Sequence, residues 1–163
     1  MNITPLLQSD SRWGERPLGT SNISIAKAGC ALTCVTMVGN WACENQNAYW
    51  PNEVNALLNK INGYQDENLI RWYAVPHVIP VKLENIGECM FIAAPVDKIS
   101  AYLAKDIPVI VEIDYDKTTK KIDEHWVLLI DIEYHYNDPY TGTVKQLTNP
   151  ALDILKWVVY TKA

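Results

Sequence analysis

From Ala31 to Trp41 apolar residues stand at positions 31, 32, 34, 35, 37, 38 and 41, which cover most of the circumference of a helix. The pattern predicts a buried central helix with Cys30 in its first turn. "YWPNEVNALLNKINGY" predicts a second helix: Pro51 suits the first turn, Val54, Leu57, Leu58 and Ile61 recur at helical spacing, and Gly63 stops it. A third is expected in "PVDKISAYLAKD", opened by Pro95 and Asp97 and striped by Val96, Ile99, Tyr102 and Leu103. After Asp106 the grammar changes. "IPVIVEIDY", "HWVLLIDIEYHY" and "ILKWVVYT" are β-branched, alternating or continuously apolar runs, and the charged "DKTTKKIDE" joins the first two as a turn. Helices precede strands, which predicts an α+β fold, a helical half packed against an antiparallel β-sheet, rather than alternating βαβ units.

The N-terminal segment follows neither period. Gly14, Pro17 and Gly19 punctuate "RWGERPLGTSN", so residues 1–27 are expected as an ordered arm wrapped over a single domain spanning 1–163. A chain of 163 residues buries roughly two-thirds of its unfolded surface, enough for one core. A net charge of −5 and a pI near 5.1 speak against nucleic acid or an anionic membrane as partner. No apolar run is long enough for membrane insertion, and "MNITPLLQSDSRW" lacks the pattern of a secretory signal peptide. Six Trp and nine Tyr against one Phe supply flat rings with a polar edge, suited to a groove wall as well as to a core.

Candidate chemistry centres on the Gly-Cys pair of "AGCALTCVTMVG". The four cysteines, at 30, 34, 43 and 89, have neither the density of a disulfide scaffold nor the paired spacing of a zinc site, so no metal or other cofactor is expected. Cys30 and Cys34 lie one helical turn apart with nearly parallel side-chain vectors, which disfavours a bridge. Core filling and nucleophile remain for Cys30. A thiol reacts as thiolate, and the first turn of a helix favours the anion. Gly29 would let a substrate carbonyl approach, and the Cys30 N–H would face the oxyanion. A base is then required, with a third group to orient it. His125 opens an apolar strand after a charged turn, at the end of the sheet, whereas His77 lies in a Pro-flanked stretch expected as an extended linker and His135 is expected as an exposed strand residue. "YNDPYTG" offers Asn137 and Asp138, with Pro139 biasing Asp138 toward extended backbone. Taken singly, each of these residues also has an ordinary structural reading.

Taken in order, "QSDSRWGERPLGTS", "AGCALTCVTMVGN", "NEVNALLNKINGY", "NLIRWYAVP", "IPVIVEIDY", "EHWVLLIDI" and "YNDPYTG" resemble the double-glycine peptidase-like branch of papain-fold cysteine peptidases, in its stand-alone bacterial and phage form. The likeness runs from Gln8 to Gly142. It implies a papain-like fold and hydrolysis of peptide or peptidoglycan amide bonds, in a cytoplasmic or virion-associated protein. Position by position, it makes Cys30 the nucleophile, His125 the general base and Asp138 the acid that orients it. Gln8 becomes the amide that joins the Cys30 N–H in an oxyanion hole. Gly29, Trp126 and Trp13 are the candidates for substrate contact, with Trp72, Tyr73 and Tyr140 as further rings. "SNIS" stands where many relatives carry a second Gly-Cys. The same residues would also serve a catalytically silent module that binds a peptide, or an acyltransferase that delivers the acyl group to an amine.

Overall fold

In the computed structural model, which describes residues 1–163, an irregular arm leads into α1 (Ile25–Ala28), α2 (Cys30–Ala42) and α3 (Pro51–Lys60). A small hairpin, β1 (Tyr64–Gln65) and β2 (Leu69–Ile70), and a 3₁₀ turn (Trp72–His77) follow, then β3 (Val81–Glu88) and α4 (Val96–Leu103). The chain ends with β4 (Val109–Asp114), β5 (Glu124–Leu129), β6 (His135–Asp138), β7 (Thr143–Gln146), the single turn α5 (Pro150–Asp153) and β8 (Ile154–Lys162). Strands β3 to β8 form one antiparallel sheet in the order β3-β8-β4-β5-β6-β7, so the fold is α+β.

Both faces of the sheet are covered. On one, Leu32, Val35 and Val38 of α2 and Val54 and Leu58 of α3 pack with Ile110, Leu128 and Val158. On the other, Ile99 and Leu103 of α4 pack with Val109, Val111, Val127, Leu129 and Val159. Burial on two sides explains why β4 and β5 are continuously apolar rather than alternating. The arm contributes Ile3, Leu6, Trp13 and Leu18 to the first core. Its bends are fixed by backbone hydrogen bonds within it, such as Gly14 N–H to the Asp10 carbonyl, and to the body of the chain, such as Gln8 N–H to the Pro139 carbonyl.

Three features depart from the sequence expectations. "HWVLLIDIEYHY" is two strands, because Asp131 caps a reversal: its carboxylate accepts from the N–H groups of Glu133 and His135, and Tyr134 adopts a left-handed φ of 61°. His77 ends the 3₁₀ turn and is not in an extended linker. β3 carries no sequence expectation, since its inner face takes Asn85 and Gly87 while Ile86 is exposed, so burial alternates but hydrophobicity does not.

Candidate active site

α2 opens immediately after α1, with Gly29 as the shared cap, and Cys30 is its first residue. Gly29 has an ordinary φ of −87° and is buried, so its role differs from the expected one of admitting a substrate. A Cβ there would stand 2.5 Å from the Ile25 carbonyl oxygen, and glycine is what lets α1 abut α2. Cys30 is half-buried and lines a cleft of about 490 Å³ with Trp72, Trp126, Tyr140, Glu112 and Lys156. Burial pushes its thiol above the ordinary range, against the pull of the N–H groups of Trp126, Ala31 and Cys30 itself, and Glu112 adds to the upward push. Desolvation therefore outweighs the helix start, contrary to the expected lowering. Cys34 and Cys89 are buried and Cys43 is exposed, and all four thiols are free.

The imidazole comes from the other half of the chain. β5 and β6 pair only at Leu128 with Asn137 and at Leu129 with Tyr136, and where that ladder stops, His125 Nε2 reaches Asp138 Oδ1 at 2.8 Å. Both side chains are 0% exposed. An ionised carboxylate only accepts, so in the neutral ring the proton sits on Nε2 and the lone pair on Nδ1. Nδ1 is buried and has no hydrogen-bond partner, the Cys30 thiol included. Tyr140 lies flat on the ring, centroids 3.7 Å apart, and Tyr115 meets its edge at 4.8 Å. Trp126, the residue after His125 on β5, and Tyr140, the ring covering His125, both line the Cys30 cleft.

Asp138 is held from every side. Oδ1 also accepts the Tyr140 N–H at 2.9 Å, while Oδ2 accepts the Tyr115 hydroxyl at 3.0 Å, the Thr141 hydroxyl at 3.2 Å and an ion pair from Lys145 at 2.8 Å. Burial works to raise its carboxyl, but the bonds from His125 and Lys145 prevail and hold it well below the usual carboxylate range.

The structure separates Gln8 and Trp13 from the cleft wall. Gln8 is buried next to the Asp138-Pro139 turn, whose Pro139 carbonyl accepts its backbone N–H; its carboxamide nitrogen donates one hydrogen to the Ala26 carbonyl at 2.8 Å and its Oε1 has no partner. That bond braces the arm against α1 and leaves the second amide hydrogen free. Trp13 is 1% exposed, stacks on Trp50 with centroids 5.7 Å apart and bonds the Leu7 carbonyl, so it is core and not a substrate contact. Trp126 does line the cleft, in contact with Trp72 at 4.9 Å. Sequence reasoning passed over Tyr115, Lys145 and the Glu112–Lys156 pair at 2.7 Å. A signal for the last was present, one acid inside the apolar "IPVIVEIDY" and one lysine inside "ILKWVVYT", cross-strand neighbours in the register. No family model and no curated protein matches this chain.

Proposed function

We propose that this chain is a papain-like cysteine hydrolase that cleaves peptide or peptidoglycan amide bonds. The observation that carries the reading is a buried His125 bound to Asp138 through Nε2, with Nδ1 unspent, stacked on the Tyr140 ring that lines the Cys30 cleft. In this reaction the thiol gives its proton to His125 Nδ1 and the sulfur attacks the substrate carbonyl carbon. The N–H of Cys30, at a helix start where backbone donors lack intrahelical partners, stabilises the oxyanion. The imidazolium protonates the departing amine, leaving a thioester on Cys30. Water, deprotonated by His125, then attacks the thioester, releases a carboxylic acid and restores the thiol. Asp138 fixes the tautomer throughout.

The test is digestion of purified peptidoglycan and of a peptide library by wild type and by Cys30→Ala, with products read by mass spectrometry. New termini from wild type alone are expected. An added-amine product would assign transfer in place of hydrolysis. A second reading, a peptide-binding module without turnover, is favoured by one observation, the Tyr140 ring that covers a fully enclosed His125. Retention of peptides without cleavage, equal in both proteins, would decide for it.

A further inference from the structure

We propose that Lys145 is a positioning residue for the His125–Asp138 pair: it neutralises the Asp138 carboxylate, so that His125 is oriented by a net-neutral acceptor instead of a bare anion. This inference rests on the hydrolase reading of the same site. The geometry divides the carboxylate between two tasks. Oδ1 faces the ring and the Tyr140 N–H, while Oδ2 faces Lys145 Nζ, 2.8 Å away. Lys145 Nζ is also 2.6 Å from the Tyr115 hydroxyl, so the ammonium is held by two contacts at once. It arrives from the edge strand β7, where Tyr136 is its cross-strand partner and Asp138 is paired with Thr143, a diagonal placement that long side chains span.

A fully buried carboxylate needs a compensating charge, and a neutral imidazole does not supply one. Packed around His125 are Tyr115, the residue after β4, Asp138 at the end of β6 and Tyr140 beyond it, with Glu124 before it on β5; charge on Cys30 of α2 bears on Tyr140, and that on Asp138 bears on Cys34 of α2. Tyr136 of β6 flanks Asp138 as well. Asp138 is the buried anion of this group, and Lys145 is the cation that touches it. Without that cation the carboxylate would favour the imidazolium and disfavour the neighbouring thiolate. Both ionisations would then move to higher pH, the imidazole more because it is in contact.

The measurement is site-resolved alkylation of Cys30 by iodoacetamide, read by mass spectrometry from about pH 4 to about pH 10. In wild type the rate is expected to show limbs that His125→Ala removes. Lys145→Met should move the upper limb up by about one pH unit, Lys145→Arg should restore the wild-type profile, and the Asp138→Asn/Lys145→Met double variant should return toward it. Asp138→Asn alone leaves the ammonium unopposed and should move the limbs down. A purely structural role for Lys145 would lower the melting temperature without moving either limb. Superposition of the Lys145→Met and wild-type profiles overturns the inference. If Lys145→Met does not fold, Asp138→Asn is compared with the Asp138→Asn/Lys145→Met double variant, and superposed profiles of those two overturn it. A wild-type profile unaffected by His125→Ala sinks the hydrolase reading itself, a result distinct from any of these.

Discussion

Replacing Asp138 by Asn removes one negative charge from a fully buried position while keeping an oxygen for His125 and the Tyr140 N–H. Two terms are lost: the ion pair with Lys145, and the acceptor on Oδ2 that serves Tyr115 and Thr141. Deleting one partner of a buried pair costs about 3–5 kcal/mol when the other charge stays buried. Lys145 is 36% exposed and can turn to water, so the figure falls to about 2 kcal/mol. For a domain of this size that is a drop in Tm of about 4–8 °C. The pH dependence gives the check. The Asp138 pKa is depressed in the folded state, so its contribution is complete above the unfolded value of about 3.9 and is lost as pH falls below it toward the folded value. Urea unfolding of wild type and Asp138→Asn should therefore differ by a constant amount above about pH 5, and the difference should shrink by about pH 3. An equal difference at both ends would mean that packing, not charge, sets the cost, and the electrostatic account of the turn would fail.

Trp13→Ala should destabilise by about 3–5 kcal/mol in urea unfolding, since a buried indole and its stack on Trp50 are lost. Cleavage per folded molecule should hold if Trp13 is core alone. Gly29→Ala should cost about 1–3 kcal/mol in the same assay, because the new methyl meets the Ile25 carbonyl oxygen at 2.5 Å; an unchanged midpoint would show that α1 simply moves aside. Tyr140→Ala should open the His125 ring, which is 0% exposed under the phenol, and diethylpyrocarbonate should then modify His125 at a rate approaching that of His135. No gain in labelling would mean that another element does the covering.

The helices were legible because burial on one side leaves a periodic stripe: Val54 and Leu58 are buried in α3, and Ile99 and Leu103 are the buried residues of α4. The break between β5 and β6 was not, since it is made by Asp131 accepting backbone N–H groups while an exposed Ile132 continues the apolar run. Of the candidate residues, His125 and Asp138 meet as expected because a strand end and an Asp-Pro turn are locally specified. Lys145 and Tyr115 escaped notice for the opposite reason. Each is unremarkable in its own segment and becomes part of the site only through the register of β4, β6 and β7, which no local pattern encodes. Gly29 and Trp13 were singled out for the right positions and the wrong reasons, since backbone crowding and ring stacking are three-dimensional facts.

Folded proteins rarely leave buried polar atoms without a partner, each at a cost of about 1–3 kcal/mol. Four side-chain atoms stand in that state here, Gln8 Oε1, Glu112 Oε2, His125 Nδ1 and Asn137 Oδ1. Glu112 Oε2 is the mildest, poorly aligned for a hydrogen bond but 2.7 Å from Lys156 Nζ. Two of the others flank the Asp-Pro turn, where Gln8 bonds the Pro139 carbonyl through its backbone N–H and His125 bonds Asp138, whereas the Asn137 side chain points to the opposite face of β6 and bonds the Ile3 carbonyl. The unpaired atoms of Gln8 and His125 thus lie on either side of the turn that carries the proposed chemistry, where a fold gives up stability if the proposal holds. The turn is therefore the part of this chain to perturb, and His125 Nδ1, a buried ring nitrogen with a free lone pair, comes first among its atoms.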